Sequence, residues 1–344
     1  MNFPPLIFAA TIALPCYGET VYTVPQGYTK ISIEEAPSLG TSSLTALSVT
    51  LLQDLTFAGS VNVGAFSDNS PASDTQAASV SSVTWTADQW TATPHLAYLT
   101  VADDPGNADG IAPAEEAFLI SANTTNGGLT LVTESGDLLS NFPASTTIEI
   151  RKANTLSSLL SSVTGSLHAE DRVYIWNQTD NRWDTFRFVV GPNFWINTTT
   201  NVPSNDMIVF PEEGMFIERT QTTPADLQLT LFGEVPAVPQ ISSIEGSGFM
   251  SSRAPINSTL ADLGVEDSNW NATDRVYIWN PSASPQAWET HRFVVGPNFW
   301  INTGTNSPSN TRVISANTAV FVGRDAPTTS GNGGITTNLP YTIE

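Results

Sequence analysis

The chain has 344 residues, 33 of them acidic and 12 basic, and its net charge at pH 7 is −21. A surface this poor in basic residues cannot neutralise a run of phosphates, which excludes a nucleic-acid binder, and anionic membranes repel it. Because 40% of the residues are hydrophobic, the chain can bury a core, so a wholly disordered protein is excluded as well.

The first predicted element is a short apolar run, Leu6–Leu14, followed by the small residues Cys16 and Gly18. Such a run is typical of a secretory signal peptide, although no Lys or Arg precedes it, and it is too short for a membrane span. We therefore predict that residues 1–18 are a signal peptide and that the protein is exported to an extracellular, periplasmic or cell-surface location. A lipid anchor on Cys16 is the alternative. Removal of Cys16, the only cysteine, would leave a protein whose stability does not depend on disulfides.

Residues 19–144 are predicted to form an acidic β domain. Short alternating or β-branched runs are separated there by Gly, Pro, Asn and Asp, which is the pattern of strands and turns. Residues 1–150 contain fifteen acids and a single base, Lys30. Such a charge excess keeps a protein soluble through self-repulsion, and binding of divalent cations is the alternative explanation.

The densest acidic loop of this domain has four side chains that could hold Ca²⁺: Asp103, Asp104, Asn107 and Asp109. Its spacing partly follows that of an EF-hand loop, but Pro105 stands at the first ligand position and has no side-chain oxygen. An EF-hand is therefore rejected. A looser Ca²⁺ loop and a solvated strand connection both remain open, and no other cofactor is predicted.

The C-terminal half contains an internal repeat. The motif DRVYIWN occurs at Asp171–Asn177 and again at Asp274–Asn280, and seventeen of nineteen positions match between Arg187–Asn205 and Arg292–Asn310. Two β units are therefore predicted, residues 145–240 and residues 241–344. We expect an all-β protein with several short-stranded sandwich or barrel-like units, the C-terminal part being an internal duplication.

Each repeat contains a predicted β-hairpin. In the first repeat, we expect Asn177 to pair near Trp183. Tyr174 and Trp176 then share a face with Phe186, because side chains alternate between the faces of a sheet. A register slip of one residue would reverse this assignment.

Six of the nine tryptophans lie at positions that recur in the two repeats, and two roles remain open for them. In the first role, exposed, coplanar indoles stack against a sugar ring, arginines donate hydrogen bonds, and asparagines complete a polar rim. In the second role, the tryptophans fill β-sheet cores. The candidate ligand-binding residues are Trp183, Arg187, Trp195 and Asn197 in the first repeat, and Trp288, Arg292, Trp300 and Asn302 in the second.

No nucleophile, phosphate-binding or dinucleotide motif occurs in the chain, and the three histidines lack metal-ligand spacing. Glycosidase chemistry requires only two carboxylates, and Asp171 and Asp184 recur as Asp274 and Glu289. Because arginines lie close to these acids in the sequence, structural ion pairs are the simpler explanation. We therefore predict a protein that is not an enzyme.

Three functions remain open at this stage. The leading hypothesis is an exported, non-enzymatic structural or surface-interaction protein. The first alternative is a carbohydrate-binding protein that uses the repeated Trp, Arg and Asn positions, and the second is a glycan-processing enzyme with a carboxylate pair. The expected partner is a glycan or another cell-surface component, and the sequence does not indicate an oligomeric state.

Several short motifs together resemble an uncharacterised family of exported β-rich proteins from the Planctomycetes–Verrucomicrobia group. They are the segment PQGY at Pro25–Tyr28, the segment IEIR at Ile148–Arg151, the leucine pattern of Thr155–Leu159, and the motif at Asp171–Asn177. Glu115 departs from the pattern by standing where the family has a glycine. The resemblance implies export and a β-rich fold, and it carries no site residue.

Overall fold

The computed structural model of the chain describes residues 25–61, 75–101, 114–132, 146–223, 225–244, 246–263, 270–324 and 334–341. Regular structure in this part is almost entirely β-strand, arranged in six separate sheets. This confirms the prediction of an all-β fold with several sandwich units. Within the same residues, no helix has the length and apolar character needed to cross a membrane. The predicted signal peptide and the acidic loop lie outside the described residues.

The strands of the N-terminal part are β1 (Gln26–Ile33), β2 (Ser43–Ser48), β3 (Leu55–Ser60), β4 (Thr75–Ser79), β5 (His95–Val101), β6 (Ala114–Asn123), β7 (Gly128–Val132) and β8 (Thr147–Lys152). Next come β9 (Asn154–Thr155), helix α1 (Leu156–Leu159), β10 (Arg172–Asn177), β11 (Arg182–Val189), β12 (Phe194–Asn197), β13 (Ile208–Val209), β14 (Gly214–Arg219) and β15 (Leu227–Glu234). The last ten strands are β16 (Gln240–Ser243), β17 (Ser247–Ser251), β18 (Ser258–Thr259), β19 (Arg275–Asn280), β20 (Ala287–Val294), β21 (Phe299–Asn302), β22 (Ser307–Pro308), β23 (Val313–Ile314), β24 (Ala319–Gly323) and β25 (Gly334–Thr337).

The two repeats build the same sheet. Its strand order is β12-β11-β10-β14-β2 in the first repeat and β21-β20-β19-β24-β17 in the second, where β22 adds a further edge strand. The smaller pairings recur as well: β1 with β15 corresponds to β16 with β25, and β9 with β13 corresponds to β18 with β23. The duplication therefore includes flanking strands whose sequences have diverged.

The acidic unit is inserted into the first repeat. In the second repeat only residues 252–257 separate β17 from β18, whereas residues 49–153 separate the equivalent β2 and β9. Strands β3 to β8 lie in that interval, in the order β6-β5-β8-β3, with β7 and β4 beyond β6. The predicted boundary between residues 19–144 and residues 145–240 does not coincide with a boundary between sheets. Strands β1 and β2 precede it in the chain but pair with β15 and β14 of the first repeat.

The register of the first hairpin differs from the prediction by one residue. Trp176 pairs with Trp183, so Tyr174 and Trp176 share a face with Trp183 and not with Phe186. Phe186 is turned into the core of the repeat, where it is 1% exposed. The turn sets this register: Asn181 adopts a left-handed conformation with φ 52° directly before β11.

Each of the three units has a hydrophobic core of its own. Trp195 lies in the core of the first repeat and Trp300 in that of the second, 2% and 0% exposed. The inserted unit buries Trp85 and Trp90 in the same way. Of the two roles left open for the repeated tryptophans, Trp195 and Trp300 therefore have the second, packing in a β-sheet core.

Candidate functional site

The sheet face of each repeat that points away from its core packs against the other repeat. Phe216 of the first repeat stacks on Phe249 of the second, with 4.6 Å between ring centroids and 14° between ring planes. Trp183 contacts Phe249 and Phe321, at centroid distances of 5.3 and 6.2 Å. We name this the inter-repeat cluster; its aromatic members are Tyr174, Trp176, Trp183, Phe216, Phe249, Tyr277, Trp279, Trp288 and Phe321.

Two equivalent hydrogen bonds close this interface. The indole Nε1–H of Trp176 donates to the carbonyl oxygen of Ser247 at 2.7 Å, and that of Trp279 donates to the carbonyl oxygen of Leu44 at 3.0 Å. Ser247 and Leu44 lie on the edge strands β17 and β2, which are equivalent in the two repeats. The contact between the repeats is therefore reciprocal, like that between the subunits of a two-fold symmetric dimer.

The predicted tryptophans are not arranged as a flat platform. Trp195 and Trp300 are buried and present no ring face to a ligand. Trp183 is half-buried in the inter-repeat cluster, whereas Trp288 is 37% exposed. Trp288 stands edge-on to its neighbour Trp279, with 69° between the ring planes. Stacking against a sugar through two coplanar indoles is thus not provided by these residues.

The predicted asparagines have a structural role in turns. The side-chain oxygen of Asn197 accepts from the backbone N–H groups two and three residues further on, at 2.9 and 3.0 Å. Asn302 makes the same two bonds in the second repeat, at 2.9 and 3.0 Å. These are Asx-turns, which explain both residues without a ligand.

The predicted arginines lie in cross-strand pairs at the outer end of the inter-repeat face. Arg187 stands directly opposite Arg172, and Arg292 stands directly opposite Arg275. Arg187 is exposed and Arg292 is half-buried. Like charges that face each other across two strands are destabilising, so each pair requires a counter-charge or another compensation.

In the first repeat, that counter-charge is Glu218 on the neighbouring strand β14. Its carboxylate accepts from the hydroxyl of Tyr174 and lies 3.9 Å from Nη1 of Arg172. Burial, followed by the hydrogen bond to Glu218, raises the pKa of Tyr174 above its ordinary value. Sequence reasoning missed Glu218, because only strand pairing brings it beside Arg172.

The buried acids of the repeated motif are structural. Asp171 is 0% exposed and accepts from the backbone N–H groups of His168 and Thr220, at 2.8 and 3.1 Å. Asp274, also 0% exposed, accepts from the backbone N–H of Asn271 at 2.8 Å and lies 3.8 Å from Nε of Arg324. Both carboxylates therefore hold the chain that enters the hairpin.

The second pair of acids, Asp184 and Glu289, also accepts hydrogen bonds from neighbouring side chains. Asp184 accepts from the side-chain amide of Asn177 at 3.1 Å. Glu289 accepts from Asn280 at 2.9 Å and from Nε of Arg312 at 2.8 Å, and the bond to Arg312 lowers the pKa of Glu289. An acid held in this way is poorly suited to donate a proton, as a glycosidase acid must.

A buried polar network joins the inserted unit to the second repeat, and sequence reasoning missed it. Glu115 on β6 accepts from the amide of Gln240 at 3.3 Å, and the oxygen of Gln240 accepts from Nη2 of Arg253 at 2.6 Å. Burial, reinforced by Glu149, raises the pKa of Glu115 to about 7. The available signal was the pair of acids in the apolar run AEEAFLI, which begins at residue 114.

Two clefts flank the inter-repeat cluster. One has a volume of about 350 Å³ and is lined by residues 175–179, and the other has a volume of about 360 Å³ and is lined by residues 278–282, the equivalent segment. The first is also lined by Glu116, Asp184, Glu212 and Glu213. Among the described residues, no three His, Cys, Asp or Glu side chains stand close enough to hold a metal ion.

Comparison with known proteins gives no match: no family model, no curated protein and no solved structure is similar to the chain. The resemblance to the exported Planctomycetes–Verrucomicrobia family therefore stays a prediction. The Ca²⁺ loop stays a prediction too, because Asp103, Asp104, Asn107 and Asp109 lie outside the described residues.

Proposed function

We propose that the protein is an exported, non-enzymatic structural or surface-interaction protein in which the duplicated Trp-rich unit is a rigid scaffold. One observation carries the proposal: the repeated acids accept hydrogen bonds from groups within the fold, and the repeated tryptophans pack within it. The repeated acids accept hydrogen bonds from backbone N–H groups, side-chain amides and an arginine. Four of the six repeated tryptophans belong to the inter-repeat cluster, and the other two are in the cores.

The inter-repeat cluster suits a scaffold because it fixes one repeat against the other. Paired aromatic rings contribute about 0.5–1.5 kcal/mol each beyond the burial of their area. The stacked pair of Phe216 and Phe249 and the edge-on contacts of Trp183 and Trp288 act together across one interface. A protein of this kind presents its outer loops and strand faces in a constant geometry.

Turnover assays test the non-enzymatic part of this proposal. The full chain is incubated with neutral and acidic polysaccharides between pH 4 and 8, and new reducing ends are measured. We expect no release above that of a heat-denatured sample. Release that is lost in both Asp184→Asn and Glu289→Gln, at unchanged melting temperatures, would instead support the carboxylate-pair enzyme.

Export is supported by the apolar run Leu6–Leu14 and is tested separately. The chain with its own N-terminal residues is expressed in a bacterial host, and the N-terminus of the purified protein is sequenced. We expect a chain that starts near Glu19 in the exported fraction. An unprocessed chain confined to the cytosol argues against export, and a lipid-sized mass increase on Cys16 identifies the anchored alternative.

Carbohydrate binding is the second candidate function, and one specific observation favours it. Trp288 is 37% exposed and lies on the same strand face as Arg292, because side chains alternate along β20. An exposed indole and a guanidinium on one strand face offer a stacking surface and hydrogen-bond donors to an extended ligand.

A further inference from the structure

The two repeats differ at the position opposite their arginine pairs. In the first repeat, β14 places Glu218 beside Arg172. In the second repeat, β24 places Gly323 beside Arg275, in the same register. The chain therefore keeps the second pair of arginines but has lost the carboxylate that accompanies the first pair.

The position equivalent to Glu218 can accept a Cβ atom in the second repeat without a clash. A Cβ atom added to Gly323 would lie 3.6 Å from Cε2 of Tyr277 and 3.9 Å from the hydroxyl of Ser247, which are ordinary contacts. Tyr277 is the counterpart of Tyr174, whose hydroxyl donates to the carboxylate of Glu218. The second repeat thus retains the counterparts of the two groups that flank the carboxylate of Glu218 in the first: the hydroxyl of Tyr277 and the guanidinium of Arg275.

The arginine pair of the second repeat retains donors for such a group. Arg275 uses Nη1 for the carbonyl oxygens of Ala272 and Asp274, at 2.9 and 2.8 Å. In the described part of the chain, no carboxylate forms an ion pair with Arg275 or Arg292. Guanidinium groups match carboxylates geometrically and bind them through charge-assisted hydrogen bonds.

We propose that Arg275, Arg292, Tyr277 and Gly323 form a binding site for the carboxylate of an acidic sugar, a uronic acid within a polysaccharide. In the first repeat, the side chain of Glu218 supplies the equivalent carboxylate from within the chain. A sugar is favoured because Trp288 lies four residues before Arg292 on the same strand face, about 13 Å along the strand, with 37% of its surface exposed. A neighbouring sugar unit of the same chain can stack there.

The acidic-sugar site rests on the surface-interaction function proposed above, and it specifies the class of partner that the surface binds. The net charge of −21 does not oppose it at short range. At physiological ionic strength, charges separated by more than about 8 Å are largely screened, so the local arginines dominate the potential felt by a bound carboxylate.

Calorimetric titration of the full chain tests the site. The probes are an oligomer of galacturonic acid, a glucose oligomer of the same length as the neutral control, and free glutamate as a carboxylate without a sugar ring. We expect the galacturonate oligomer to bind at one site, and both other probes to bind at least about tenfold more weakly. Equal binding of the glucose oligomer or of glutamate would overturn the proposal.

The repeats supply matched variants. Gly323→Glu restores the carboxylate of the first repeat, and we expect it to abolish binding without lowering the melting temperature. Arg292→Gln should weaken binding by about tenfold or more, because it removes charge-assisted hydrogen bonds. Glu218→Gly should create a second, weaker site, detected as a rise in stoichiometry above one. Unchanged binding by both Gly323→Glu and Arg292→Gln would overturn the proposal.

One control addresses an internal ligand. Glu245 lies outside the described residues and is two positions from Ser247 in sequence. If only Glu245→Gln binds the oligomer, an acid of the chain itself fills the site and the proposal is overturned. Cleavage of the oligomer during the titration would contradict the non-enzymatic function, whereas absence of binding contradicts the sugar site alone.

Discussion

Trp176 donates its indole N–H to the carbonyl oxygen of Ser247 at 2.7 Å, and this bond crosses from the first repeat to the second. The equivalent Trp279 makes the reciprocal bond to Leu44 at 3.0 Å. Each tryptophan therefore satisfies a carbonyl on the edge strand of the other repeat. Because an exposed edge invites pairing with other chains, this contact also protects the two edges.

Replacement of Trp176 by Phe should destabilise the protein by about 1–3 kcal/mol, because it removes one hydrogen bond and leaves the carbonyl of Ser247 without this donor. Chemical denaturation monitored by tryptophan fluorescence and circular dichroism measures the change. Trp279→Phe is the matched variant and should have a similar effect. Unchanged stability in both variants would show that these bonds do not hold the repeats together.

Two substitutions of Trp300 should lower the stability of the protein by different amounts. Trp300 is 0% exposed, and its indole Nε1–H has no hydrogen-bond partner among the residues that the structure describes. Trp300→Ala should cost about 3–5 kcal/mol through the cavity that it creates. Trp300→Phe retains most of the ring and removes a buried, unsatisfied donor, so it should cost less than about 2 kcal/mol. The comparison of melting temperatures checks the order, and a larger loss for Phe than for Ala would refute it.

Glu115 should make the protein less stable as the pH rises from about 4.5 to about 7. Its pKa is about 7 in the folded chain, against 4.5 as the ordinary value, so the folded state binds the extra proton in this window. Stability falls with rising pH wherever the folded state binds more protons than the unfolded state. The charged groups that face Glu115 are Glu149, Arg151 and Arg253.

The Glu115→Gln variant isolates this effect, because it stays neutral at every pH. The difference in unfolding free energy between the variant and the wild type should grow from near zero at about pH 4.5 to about 3 kcal/mol in favour of the variant at pH 8. Denaturation series at several pH values measure it. A difference that is independent of pH would show that Glu115 ionises normally in the folded protein.

Removal of the inserted unit should leave both repeats folded. We propose to replace residues 49–153 by the connection of the second repeat, residues 252–257, which joins the equivalent strands. Far-ultraviolet circular dichroism should show a β spectrum, with a cooperative but earlier melt, because apolar side chains that contact the insert become exposed. Loss of cooperative unfolding would mean that the first repeat requires the insert.

Much of the fold is local in origin and was accessible from the sequence. Recurring motifs revealed the duplication, and alternation with turn residues revealed the strands, since both depend on residues that are close in the chain. The site was less accessible. Repetition in the sequence identified Trp183, Arg187, Trp288 and Arg292 as candidates. The importance of Glu218 and Gly323 follows only from strand pairing, because β14 and β24 place them beside the arginines.

The sequence by itself therefore determined the all-β class, the repeated hairpins and the residues that the two repeats share. The tertiary structure decided the one-residue register of the first hairpin, the insertion of the acidic unit between β2 and β9, and the burial of Trp195 and Trp300. The physical reason is the same in each case. The partner of a strand, and the face that it buries, are determined by contacts with segments far away in the chain. Those contacts form only when the whole protein folds.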